Sequence, residues 1–314
     1  MRTAKLILTA ALACGAGLAG IRGPVMGWVA DRDARVLRPV NGMPGAGSMG
    51  DPVDAGMAVD AAVVNAAAGV ALVSDRDNGG LGVVRGLGDS PSAVALEGVV
   101  AGAELMALSP GGQYGAVFAK GSVQLIRQLK SEPAVSAPVA TELDGAAAMV
   151  VDDGGVILVA ARGGIHAFAP DAGGVLVARA DSPSALALLD EGFIYADRAA
   201  NEVVIGETRG EFAPVRILAQ GTDGVEAPIG VAVAGRRAAV AHSGGLAVFD
   251  IDAGLKLFDV PLMAAPEMLK TFGSAFALNA GGAGPLWLLD ALEVERAGAG
   301  SDAPKVWFVP AAAR

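Results

Sequence analysis

The sequence predicts an all-β chain, a seven-bladed β-propeller of four-stranded blades. Three observations lead there. A unit of apolar strand, short polar or Gly-rich turn and second apolar strand recurs about seven times. Its turns fall near residues 32, 76, 120, 162, 198, 243 and 281, a spacing of roughly 40 that suits one blade. The composition is 53% hydrophobic but only 4% aromatic, with 45 glycines among 314 residues. Ala and Val therefore dominate the apolar set, which favours many short strands and tight turns.

The units in order are GWVADRDARVLRPV, VALVSDRDNGGLGVV, GAVFAKGSVQLI, ILVAARGGIHAF, FIYADRAANEVVI, AAVAHSGGLAVF and AFALNAGGAGPLWLL. Each reads as the hairpin of strands B and C. A strand A and a tight turn precede it, as in ELMALSPGGQYGAVFA (Glu104 to Ala119) and AMVVDDGGVILVA (Ala148 to Ala160). A weaker strand D follows, as in VLVARA (Val175 to Ala180) and LKLFDV (Leu255 to Val260). Alternation is blurred, as expected when strands are buried on both faces between blades. The pattern DSPSAxAL occurs at Asp89 to Leu96, in a D strand, and at Asp181 to Leu188, in an A strand. Little remains to supply strand A of the first unit, so the spare strand KVWFVP (305–310) is expected to pair with that blade and close the ring. Six blades plus an N-terminal hairpin is the alternative, because residues 42–56 are rich in Gly and Pro.

The ends and the charge bound the setting. Arg2 and Lys5 precede an apolar run from Leu6 to Ala13 and then small residues, the order of an export signal. Residues 1–19 are expected to be a signal peptide and 20–314 one propeller domain, periplasmic or extracellular. Cys14 is the sole cysteine, so no intramolecular disulfide can form. Ala-Leu-Ala-Cys-Gly resembles a bacterial lipobox with Cys14 as the lipidation candidate. Ordinary cleavage near Ala13 or Ala19 competes with it, because Ala11 and Leu12 depart from the lipobox pattern. A net charge of −10 opposes a nucleic-acid partner. No internal apolar stretch reaches the length of a membrane span.

Ser-Pro-Gly-Gly at Ser109 to Gly112 resembles the turn of bacterial propellers of the WD40, TolB and YVTN type. The stretch APIGVAVAGRRAAVAHSGGLAVFDIDAG (Ala227 to Gly254) resembles a YVTN/NHL repeat across three strands, and PSALALLDEGFIYADRAANEVVI is a looser match. The resemblance implies the fold and a choice among scaffolds, adhesins, partner-binding modules and a minority of enzymes.

Chemistry is sparse. His166 and His242 are the only histidines and occupy different positions in different blades, which opposes a His-based zinc site. His166, in the C strand IHAFAP, reads as an ordinary sheet residue. No G-x-S-x-G elbow is present. Three Trp are too few for the docking repeats of quinone-cofactor propellers, and no cofactor or metal is expected. Asp-Arg-Asp occurs twice, but DRDNGG lacks the distal Glu of a calcium loop and places an arginine between its carboxylates. A lactonase-like metal-dependent hydrolase, with carboxylate and Asn ligands in the central channel, stands as the alternative function.

Aligned B strands end in Arg32, Arg76, Lys120, Arg162, Arg198, His242 and Ala280. YVTN-like repeats commonly carry Asn there, so the basic column departs from the pattern. B–C and D–A turns share one propeller face, and six basic or titratable groups on it form a candidate binding ring. Such a ring could attract a protein or other anionic partner, and Arg suits bidentate contact with carboxylate or phosphate. The competing reading is turn chemistry repeated by duplication, with Asp31, Asp33, Asp75, Asp77 and Asp197 pairing beside the arginines at about 0–1 kcal/mol each. The expected function is an exported, non-enzymatic binding or scaffold propeller.

Overall fold

The computed structural model describes residues 23–207, 214–280, 284–298 and 302–311. Seven antiparallel sheets follow one another along the chain. The first holds β1 (Val25–Asp31), β2 (Val36–Met43) and β3 (Ala46–Met49). The second holds β4 (Val59–Asn65), β5 (Val70–Asp75), β6 (Leu81–Arg85) and β7 (Ser92–Ala95). In the third, β8 (Leu105–Leu108), β9 (Gly115–Ala119) and β10 (Ser122–Arg127) are followed by a broken outer strand, β11 (Ala134–Val135) and β12 (Val139–Ala140).

The fourth sheet is β13 (Ala148–Val151), β14 (Ile157–Ala161), β15 (Gly163–Phe168) and β16 (Gly174–Ala180). The fifth is β17 (Pro183–Leu189), β18 (Gly192–Asp197), β19 (Glu202–Glu207) and β20 (Pro214–Gln220). The sixth is β21 (Gly230–Ala234), β22 (Arg237–His242), β23 (Gly245–Asp250) and β24 (Leu255–Val260). The seventh is β25 (Lys270–Phe272), β26 (Ala275–Ala277), β27 (Leu286–Asp290) and β28 (Val306–Val309), with helix α1 (Ala291–Arg296) between its last two strands. The protein is thus a seven-bladed all-β propeller. The two DSPSAxAL segments take different places, outer strand β7 and first strand β17.

The core lies between blades. Seven apolar clusters each straddle one pair of neighbours. Between blades five and six, for example, Ile194, Val203 and Ile205 meet Val231, Val240 and Phe249. Strands β5, β9, β14, β18 and β22 are buried along almost their whole length. Both of their faces meet a neighbour, which is why their sequences run apolar instead of alternating. Fully burying a Val, Leu, Ile or Phe side chain contributes about 1.5–3 kcal/mol, while the many alanines let the sheets approach closely.

Closure differs from the expected strand exchange. The C-terminal strand β28 pairs with β27, as Leu286↔Val309 and Leu288↔Trp307, and so completes its own blade. Strands that follow one another along the chain pair with each other more often than with a distant sheet, even across a connection that carries helix α1. The first blade keeps three strands among the described residues. The seam is instead a packed apolar layer, in which Met26, Val29 and Val40 meet Phe272, Ala275, Leu288 and Val309. Among the described residues a backbone bond crosses it, with Ser274 N donating to Met26 O at 3.1 Å. Gly27 is required there, because a Cβ would lie inside contact distance of the Phe272 ring.

Polar ties join blades as well. Gln124 on β10 is 1% exposed. Its Oε1 accepts from Val100 N at 2.7 Å, and its Nε2 donates to Gly98 O at 2.9 Å and Ser136 O at 3.0 Å. One side chain thereby fixes the loop leaving blade two and the break in the outer strand of blade three. Gln124→Leu keeps the volume and strands these groups, so it should cost about 1–3 kcal/mol. A lowered urea midpoint with an unchanged slope checks it, and an unchanged midpoint removes this tie from the account of stability.

Candidate binding face

The strand-end column is positioned by the backbone. Arg76 N donates to Ala58 O at 2.7 Å, Arg162 N to Asp144 O at 3.0 Å and Arg198 N to Ser182 O at 2.9 Å. Each acceptor lies in the loop that enters the first strand of the same blade. Lys120 N uses a side chain of that loop instead, Glu104 Oε1 at 2.9 Å. In the sixth blade the bond moves one residue on, from Ser243 N to Glu226 O. Regularity of the column is therefore a backbone matter.

The aspartates preceding the basic residues serve the turns. Asp31 Oδ1 accepts from Ala34 N, and Asp75 Oδ1 from Asp77 N. Asp197, 5% exposed, accepts from four amides: Asp181, Ser182, Ala199 and Ala200. Its carboxylate thus ties the B–C turn to the loop entering β17. Hydrogen bonding of this local kind is what Asp offers a turn. Arg32, Arg76 and Arg162 instead reach other segments.

Arg32 Nε donates to Asp60 O at 2.8 Å and lies 3.9 Å from the Asp60 carboxylate. Arg76 Nη1 donates to Arg32 O at 3.2 Å, and Arg35 meets Asp77 at 3.2 Å. These contacts stitch blade one to blade two, so Arg32 and Arg76 are committed to that junction. They also place the β1–β2 turn beside the β5–β6 turn, on the same face. Lys120 stands exposed at the third turn, with a left-handed φ of 48°. His242 departs from the expected cationic ring. It is 5% exposed, its Nδ1 accepts from Gly244 N, and burial holds its pKa below the ordinary 6.5. A neutral imidazole packed in the sheet contributes no charge to the face at neutral pH. His166, half-buried on β15, is lowered by burial in the same way.

Arg162 and Arg198 come together on a cavity of about 400 Å³. Its wall is built from the starts of the first strands of blades four to seven, so it opens on the axis of the ring. Gly145 and Ala147 come from blade four, Asp181 to Ser184 from blade five, Ile229 from blade six and Glu267 from blade seven. Arg162 meets Asp144 at 3.3 Å, both largely exposed. The Arg198 guanidinium has no partner among the described residues. Ser184 Oγ donates to Pro228 O at 2.6 Å and braces blade five against blade six.

The lining is of mixed sign. Asp181 and Glu267 were not singled out by the basic column, because the loops entering the first strands share no sequence pattern. Their one available signal was position, immediately ahead of an A strand on the turn face. Among the described residues no three His, Cys, Asp or Glu side chains are grouped to hold a metal ion. Cys14 lies outside the described residues.

Two predictions follow from this geometry. Asp197→Ala removes the acceptor of four amides and should cost about 3 kcal/mol, with Asp197→Asn costing less because one oxygen remains; denaturant unfolding measures both. For His242 the folded-state pKa lies below the unfolded value, so the unfolded chain takes up the proton first. Stability is then intact above the ordinary 6.5 and declines as pH falls through and below it. His242→Gln should flatten the stability profile below the ordinary 6.5, leaving the slope due to His166; an unaltered profile would show that His242 plays no part in it.

No protein-family model and no curated protein matches the chain. Similarity to solved structures is at the level of fold. A functionally unknown protein from Desulfotomaculum acetoxidans DSM 771 superposes with a TM-score of 0.61 at 12% identity, over 92% of this chain and 100% of that one. A chain of the nidogen/laminin complex superposes with a TM-score of 0.51 at 12% identity, over 74% of this chain and 91% of that one. Fold-level kinship with propellers is what these likenesses establish.

Proposed function

We propose that the protein is an exported, non-enzymatic binding or scaffold propeller that engages a protein partner through the turn face. The observation that carries this reading is the way the turn residues are mounted. Bonds from the backbone of Lys120, Arg162 and Arg198 fix these turns to the loops beside them, and the three basic side chains extend from that base. Turns whose backbone is already fixed lose little further backbone freedom on association, which favours binding. The fold is consistent with such a role, since a solved chain of similar fold belongs to the nidogen/laminin complex. Export rests on Arg2, Lys5 and the apolar run that follows them.

Affinity capture from the envelope fraction of the source cell tests this. The triple variant Lys120→Glu, Arg162→Glu, Arg198→Glu alters the turn face and spares the Arg32–Arg76 junction. A control, Lys130→Glu with Asp190→Lys, alters exposed residues of the opposite face. The expected result is a partner, identified by mass spectrometry, whose capture falls at least tenfold with the first variant and holds with the second. Capture of no protein, or equal capture by both variants, overturns the reading.

A further inference from the structure

Resting on that reading, we propose that the axial cavity seats a mixed-charge segment of the partner polypeptide. An acidic residue of the segment sits against Arg162 and Arg198, and a basic residue sits against Glu267. The volume is the first argument. About 400 Å³ falls in the range of clefts that enclose a small ligand, so a short loop or tail enters it and a broad flat surface does not.

The distribution of charge is the second argument. Both cations come from the B–C turns of blades four and five, whereas Glu267 comes from blade seven, with Ile229 of blade six between them. Arg198, Asp181 and Glu267 have no side-chain partner among the described residues, so both signs are available to a ligand. A purely anionic segment would meet Arg198 favourably and Asp144, Asp181 and Glu267 unfavourably. A purely cationic one would face the reverse. Like-charge juxtaposition is an effective means of rejecting wrong partners, and a segment carrying both signs satisfies both sides of the mouth.

Rigidity is the third. The Asp197 carboxylate holds the amides of Asp181 and Ser182, and Ser184 is tied to Pro228. Arg198 extends from this braced corner, and its planar fork suits bidentate contact with a carboxylate.

The test uses the full folded chain and three tripeptides, N-acetylated and C-amidated to remove terminal charge: Glu-Gly-Lys, Glu-Gly-Glu and Lys-Gly-Lys. Binding is read by NMR titration. The expected result is tightest binding of Glu-Gly-Lys, by at least fivefold over the other two. Arg198→Ala and Glu267→Ala should each weaken it several-fold, and Glu267→Arg should shift the preference to Glu-Gly-Glu. Unfolding midpoints of these surface variants confirm that the fold is intact. No binding by any tripeptide, equal binding by all three, or a wild-type preference for Glu-Gly-Glu overturns the proposal. Free alanine binding as tightly as Glu-Gly-Lys would assign the cavity to free amino acids and also overturn it. Partner capture that survives Arg198→Ala with Glu267→Ala refutes this seat while leaving the turn face as the recognition surface.

Discussion

Every sheet in this ring has two faces to bury and only its two neighbours to bury them against. The sequence meets that demand with small side chains. Alanine and valine fill much of the B and C strands, and a few large residues such as Phe193 and Phe249 are set among them. Blade number, spacing and twist must agree around the whole ring for all seven interfaces to fill at the packing density of a protein interior. A change of volume in one interface is therefore felt by two blades and, through ring closure, by the rest.

Polar chemistry acts on that packed frame in two separable ways. Carboxylates and one glutamine satisfy backbone groups that the turns would otherwise leave unpaired, as Asp197 and Gln124 do. Longer basic side chains then either reach into a neighbouring blade, as Arg32 does toward Asp60, or remain available at the mouth of the channel, as Arg198 does. One repeated backbone position thus carries a side chain that joins two blades in one part of the ring and one that stays unpaired among the described residues in another. Duplication accounts for the sameness of the turns, and local surroundings account for the difference in use.

The hairpins were legible in the sequence because doubly buried strands read as unbroken apolar runs with turn residues between them. The column of basic strand ends was legible for the same reason. Closure was not, since KVWFVP is equally apolar whether it joins β27 or the first blade. The neutral state of His242 was also hidden: its sequence place matches that of Arg198, and only the packing around β22 separates a buried imidazole from an exposed guanidinium. The acids at the cavity were invisible because irregular loops keep no period, so Glu267 enters the site through topology alone.

The seam between the first and last blades carries a consequence for how the chain reaches its native state. Six of the interfaces join consecutive blades and can form by zipping along the chain. The seventh brings Met26 to Phe272, nearly the whole chain apart. Loop-closure entropy rises only logarithmically with length, so this step costs about 1–2 kcal/mol more than joining adjacent blades. Before it forms, the arc exposes one apolar face at each end, the surfaces by which partly folded repeat chains stick to one another. Sealing them with side chains and the Ser274–Met26 backbone bond makes the last step quick to attempt and simple to reverse, with no strand exchanged between the two blades among the described residues.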